Sequence, residues 1–174
     1  VEEIGRRINE ELVATWGNLV NRVLSMVHRT CDGAVPTADG RTVDDLALLE
    51  AVDEALATVT TQIQRVELRA ALRTGMGAAA AVNAYLNAME PWKLAKADTD
   101  RARVVLGTAL AAVSGVRVAL APYLPFSTVA LDDVLGPVEG WERREPQPGS
   151  PVGKPTPLFA KVDLDMLLSD RDDG

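Results

Sequence analysis

Apolar positions along the first thirty residues recur at spacings of four and three: Ile4, Ile8, Leu12, Trp16, Leu19, Val23 and Val27. That is one stripe of an amphipathic helix, and it predicts a helix over about residues 2–30. At about 100° per residue, Arg7, Glu11, Asn18, Arg22, Ser25 and Arg29 gather on the far, polar side. Residues 32–40, with Pro36 inside, read as a turn-rich loop. Thr42 then suits an N-cap, with Asp44 and Asp45 in the first turn that follows. The second stripe is Leu46, Leu49, Val52, Leu56, Val59 and Ile63; the third is Leu68, Leu72, Met76, Ala79, Val82, Leu86 and Met89, ending at Pro91. Neither Gly nor Pro separates these two stripes. A break is expected near residues 64–67, because an unbroken helix over 43–89 is too long for a globular domain. A fourth helix, about residues 99–121, is apolar on most sides and is expected to be the central, most buried one. Pro122 ends it and Pro125 opposes a restart, so Ser127 is read as the cap of a short fifth helix to about Leu135, closed by Gly136 and Pro137.

The fold class read from these stripes is all-α, a bundle of about five helices without a sheet. Composition changes after Gly136: residues 136–157 hold six of the ten prolines. Residues 1–136 are therefore assigned to the bundle and 137–174 to an extended, Pro/Gly-rich and then acidic tail. Within that tail, residues 158–168 are apolar enough to dock on the bundle or on another domain, and 169–174 are expected to fray.

The 174 residues suffice for one domain with a proper core. Apolar residues make up 47% and aromatics only 4%, with Ala, Leu and Val dominating, which agrees with helices. The net charge of −7 excludes a broad, nonspecific nucleic-acid binder but leaves room for a few local contacts to a folded RNA. A single cysteine, Cys31, permits no internal disulfide and fits a reducing cytosol. The sequence reading finds no apolar run near the roughly 20 residues a bilayer span needs, and expects no membrane partner. Val1 opens directly into a polar helical pattern with no initiator methionine, so no signal peptide is expected and the numbering is expected to begin inside a longer chain.

Catalytic chemistry is sparse. His28 is the only histidine, which rules out a His-based metal cluster, and a lone His near a helix end is usually a capping or solvated residue. Cys31 lies close by, but a Cys–His nucleophile needs a third group to orient the imidazole, so Cys31 is read as packing. Gly75, Gly77 and Ala80 mimic a dinucleotide fingerprint, but no strand precedes them. The carboxylates spread along helix faces and single out no acid–base pair.

Two constellations differ. In residues 83–96 a helical pattern runs into Glu90 and Pro91, and Trp92 follows with Lys93 and Lys96 beside it. Proline disfavours the helical region for its predecessor and so fixes a corner there. A tryptophan on such a corner either plugs the space between helices or presents a platform for an unpaired base. On helix spacing, Asn18 and Arg22 stand one turn apart and can reach one ligand. Asparagine offers donor and acceptor together, and arginine a planar charged fork, a pair suited to a base edge and a phosphate; a solvated polar pair has the same spacing.

Four segments in order carry a resemblance to a known family. Residues 7–22, with Trp16, Gly17, Asn18 and Arg22, look like the first helix of the anticodon-binding domain of bacterial methionyl-tRNA synthetases. Asn83, Tyr85 and Leu86 through Pro91, Trp92 and Lys96 look like its second signature. Ala121 to Phe126, with Leu135 and Gly136, resembles the next, and Pro157, Leu158 and Phe159 resemble its closing segment. The resemblance covers about residues 6–163. It implies a helical bundle that follows a class I catalytic domain and recognises the C-A-U anticodon of methionine tRNAs. It further implies that Asn18 and Arg22 make polar contacts to the anticodon, that Trp92 stacks on a splayed base, and that Pro91 shapes the turn.

The resemblance also shows what is missing. The class I signatures His-Ile-Gly-His and Lys-Met-Ser-Lys-Ser do not occur, nor do the cysteines of the family's zinc-binding insertion. The chain is therefore expected to be the non-catalytic, C-terminal anticodon-binding part of an enzyme that ligates methionine to its tRNA. No catalytic residue, metal ligand or cofactor is assigned to this part; ATP and magnesium, and zinc where the insertion exists, go with the catalytic domain in cis. The dimerising oligonucleotide-binding module of some relatives is not expected here; a monomer and a cytoplasmic location are expected. Two other readings share the pattern: a free-standing helical interaction module, and the anticodon-binding domain of another class I synthetase.

Overall fold

The structure, a computed structural model, describes residues 8–159. The positions read above at Ile4, Arg7 and residues 160–174 lie outside this range. The chain forms α1 (Ile8–Gly17), α2 (Asn18–Thr30), α3 (Val43–Gln64), α4 (Leu68–Met89), α5 (Pro91–Ala97), α6 (Thr99–Leu120), α7 (Pro125–Val129) and α8 (Asp132–Leu135). Among the described residues no strand forms; Ala34 and Pro151 make an isolated antiparallel bridge. The all-helical bundle expected from the stripes is what the chain builds.

The first expected helix is present but is not α-helical throughout. Residues 8–17 wind in the π form and pass directly into α2. Ile8, Leu12 and Trp16 repeat every four residues. That repeat is longer than the 3.6-residue α turn, so it accommodates the wider i→i+5 winding, and a stripe alone does not separate the two.

The break between the second and third stripes falls at Arg65–Glu67. Val66 takes a left-handed conformation, φ 61°. Glu67 N–H donates to Gln62 O at 2.8 Å and Val66 N–H to Ile63 O at 2.9 Å, the paired bonds of a Schellman cap. A β-branched residue occupies the position where glycine is usual, which is why the sequence carries no punctuation there.

In α3 the inward face is Asp45, Leu48, Leu49, Val52, Leu56 and Val59. Leu46, expected in the stripe, is 53% exposed. Asp45 takes the inward position because Tyr85 and Arg101 bind its carboxylate, and this rotates Leu46 away from the core. The restart after α6 also differs from expectation. Pro125 is itself the first residue of α7, where its fixed φ and missing N–H cost nothing. The Ser127 hydroxyl donates to Leu124 O at 3.0 Å.

Helix α6 is the centre of the bundle; residues 105–120 are all buried. By length and a mean hydropathy of 1.6 it would qualify to cross a bilayer, which corrects the sequence reading that no run approaches that length. Within the fold, 89% of that apolar window is buried. Close approach depends on glycine: a Cβ at Gly115 would overlap Val52 Cγ1.

Residues 137–159 return across the bundle. Val35 N–H donates to Ser150 O at 2.9 Å, and Val152 N–H to Gly33 O at 2.7 Å. His28 Nε2 donates to Gly153 O at 2.8 Å, so the lone histidine pins this strap rather than capping its helix. Arg143 grips Asp53 of α3 through two bonds of 2.9 Å. Phe159 reaches Gly17, where an added Cβ would lie 3.0 Å from its ring.

Candidate nucleic-acid interface

The interface centres on the joint between α4 and α5. Helix α4 stops at Met89 because Pro91 forces Glu90 out of the right-handed helical region. Glu90 adopts φ 45° and ψ 55°, and Pro91 becomes the first residue of α5. The corner is closed by Glu90 N–H to Leu86 O at 3.0 Å and Lys93 N–H to Glu90 O at 2.8 Å. Lys93 Nζ also pairs with the Glu90 carboxylate at 2.7 Å. Pro91 is buried under the bend, and Trp92 is half-buried, packed against the main hydrophobic core.

Arg22 reaches this corner from α2. Its guanidinium lies 4.8 Å from the centroid of the Trp92 ring. Its Nη2 donates to Asn87 Oδ1 of α4 at 2.9 Å. Asn18 is exposed at the first turn of α2, one turn before Arg22. Arg22, Trp92 and Pro91 thus meet, while Asn18 stands beside them on the same helix. Asn87 is a member of the group that the sequence reading did not single out. Its signal was present, since it lies three residues before Glu90 in the same stretch, but only the fold turns it toward Arg22.

Beside Trp92 an open groove of about 540 Å³ is lined by Arg29, Thr30, Trp92, Ala95, Lys96 and Thr99. Its charged groups are both cationic. Trp92 therefore carries Arg22 on one side and borders a basic groove.

Behind the corner lies a buried polar network. The Asp45 carboxylate, fully buried, accepts from Tyr85 Oη. It also accepts from Arg101 Nη1 at 2.5 Å, Arg101 Nη2 at 2.8 Å and Thr42 N–H at 2.7 Å. Burial pushes the Asp45 carboxyl up, but the bonds from Arg101, Tyr85 and Thr42 outweigh it and hold the group at about 2. The Tyr85 hydroxyl is pushed well above its usual value by burial and by its bond to Asp45. The network joins the start of α3, the last turns of α4 and the start of α6, and so brackets the Glu90–Pro91 corner. From sequence Asp45 is only a first-turn acid, because its partners are 40 and 56 residues away.

Among the described residues no group of three or more His, Cys, Asp or Glu side chains is placed to hold a metal ion.

A bundle whose rigid corner carries a half-buried tryptophan under an arginine can be compared with known proteins. The sequence profile described as the anticodon binding domain of methionyl tRNA ligase matches residues 35–167. The chain belongs to this family. It is 38% identical over 196 aligned residues to the methionine–tRNA ligase of Roseiflexus sp. (strain RS-1), covering 95% of this chain and 33% of that protein. It is 37% identical over 210 aligned residues to the methionine–tRNA ligase of Corynebacterium jeikeium, again covering 95% of this chain. The apo crystal structure of Mycobacterium tuberculosis methionyl-tRNA synthetase superposes with a TM-score of 0.85 at 29% identity, over 92% of this chain and 34% of that one. This anticodon-binding domain thus spans about a third of the length of the curated relatives it matches. These likenesses do not favour the free-standing module as a reading.

Proposed function

We propose that this anticodon-binding domain reads the C-A-U anticodon of methionine tRNA through Trp92, Asn18 and Arg22, on a corner shaped by Pro91. The observation that carries the reading is the placement of Arg22 on Trp92 at a bend with a left-handed Glu90. A base is recognised by stacking on a rigid aromatic and by hydrogen bonds to its edge. Stacking on the covered face requires Arg22 to leave the ring, which frees its five donors for a base edge or a phosphate. Asn18 is exposed and offers both a donor and an acceptor.

In this reading the domain serves a longer polypeptide that joins methionine to its tRNA in the cytoplasm, acting as a monomer with its catalytic domain in cis. ATP and magnesium, and zinc where present, bind in that catalytic part. Residues 1–136 form the bundle and 137–174 a C-terminal segment. The relatives' names and the family match support this assignment.

The test is binding of an anticodon stem-loop RNA with a C-A-U loop against one with a single-base change. The unaltered chain should prefer C-A-U, and Trp92→Ala should lose most of that binding. Equal binding of both loops, unaffected by Trp92→Ala, would refute the reading.

A further inference from the structure

We propose that the groove beside Trp92 is a seat for an RNA backbone phosphate, clamped by Arg29 from α2 and Lys96 from α5. The inference rests on the anticodon-reading role proposed above for Trp92 and adds a site next to it. Arg29 follows Arg22 by seven residues, two turns of α2, and so continues the same helix face about 10 Å further along. Lys96 follows Trp92 by four residues, one turn of α5, and stands about 6 Å along that helix. Helix α2 thus carries Arg22 on the ring and a second cation two turns beyond it, and α5 carries the ring itself and a cation one turn beyond it. The groove between them is lined by those cations, by the ring and by Thr30, with no carboxylate.

Charge makes the groove distinctive. The chain as a whole carries −7, so on balance its charge opposes RNA binding. The groove along α3 also holds two arginines, but there Arg41 and Arg143 are engaged with Glu145 and Asp53. At the corner itself Lys93 is engaged by Glu90. Among the described residues Arg29 and Lys96 have no carboxylate partner. A nucleotide stacked on Trp92 carries phosphates on either side of its sugar. One of them has a cationic, half-enclosed groove beside the ring to enter, where two charged donors can neutralise it.

The test uses the whole chain and a fluorescently labelled stem-loop RNA with a C-A-U loop, titrated between about 50 and about 200 mM salt. Arg29→Gln and Lys96→Gln change exposed side chains, and their melting temperatures confirm that the fold survives. Each should weaken binding about tenfold at the low-salt end. Together they should lower the slope of log K against log salt by about 0.7, the share of one single-strand phosphate contact. The preference for C-A-U over a one-base variant should stay as it was, and Arg29→Lys should restore the slope. An unchanged slope in the double variant, with Trp92→Ala still weakening binding, overturns the groove and leaves the anticodon reading standing. So does a lost C-A-U preference at constant slope, which would make these residues base readers. If Trp92→Ala has no effect, or the unaltered chain binds no stem-loop, the anticodon reading falls and the groove falls with it.

Discussion

The guanidinium of Arg22 lies over the ring of Trp92, 4.8 Å from its centroid, while Asn87 holds its Nη2 at 2.9 Å. The pair makes Trp92 a covered aromatic in the RNA-free chain rather than an open shelf. A cation on an aromatic face at such a site is worth about 0.5–1 kcal/mol, small enough for a stacking base to displace. Arg22→Ala should therefore uncover the ring without unfolding the bundle. Tryptophan emission of the free chain should move to the red, and iodide should quench it more. An unchanged spectrum would mean that the ring stays protected by the core alone.

Trp92 and Trp16 should part company under mutation. Trp16 is completely buried on the inner side of α1, whereas Trp92 is half-buried at the corner. Trp16→Ala should cost about 3–5 kcal/mol of stability through lost burial and a cavity. Trp92→Ala should leave the domain folded and remove a base stack worth about 1–3 kcal/mol, one to two orders of magnitude in RNA affinity. Denaturant melts and RNA titrations of both variants decide it. If Trp92→Ala unfolds the chain and Trp16→Ala spares it, the roles are reversed.

Base contacts carry identity and phosphate contacts carry affinity. In the full-length protein, Asn18→Ala should lower the ratio of aminoacylation efficiencies between a C-A-U tRNA and a one-base variant. Arg22→Ala should lower that ratio and overall affinity together, with a shallower salt dependence if the freed fork meets a phosphate. Should both folded variants keep the original ratio, this face does not read the anticodon.

Asp45 ties stability to pH. Its carboxyl titrates at about 2 in the fold, against an ordinary value of 3.8. The bonds from Arg101, Tyr85 and Thr42 are fully present above pH 4 and are lost as pH falls through about 2. The linked stabilisation is on the order of 2 kcal/mol. Asp45→Asn should lower the melting temperature at pH 7. The gap between variant and parent should narrow as pH drops from about 4 to about 2. A gap constant over that range would show that the charge on Asp45 is not what matters.

Gly115 tests the packing of the central helix. A methyl there would overlap the stiff, β-branched side chain of Val52 and crowd Arg143 at 3.1 Å. Gly115→Ala should destabilise by about 1–3 kcal/mol despite its better helix propensity. Gly77→Ala, at a position open around its Cβ, should be neutral or stabilising. Thermal melts of the two variants give the comparison.

Apolar periodicity determined the helices, because burying one stripe per helix is the only way such segments fold. The Thr42 start, the stop before Pro91 and the burial of residues 105–120 were legible for that reason. Proline geometry likewise determined the corner at Glu90, since it restricts its own neighbour and needs no distant partner. What periodicity left open was decided by contacts across the bundle. The rotation of Leu46 out of the core follows from Asp45 binding Tyr85 and Arg101, 40 and 56 residues along the chain. The same holds at the interface. Local spacing put Asn18 one turn from Arg22 and Trp92 after Pro91. Only packing α2 against α4 and α5 laid Arg22 on Trp92, gave it Asn87, and opened the groove between Arg29 and Lys96. Helix-forming interactions reach three or four residues, so they write themselves into sequence. The Arg22–Asn87 bond spans 65 residues, and nothing short of the tertiary fold brings its ends together.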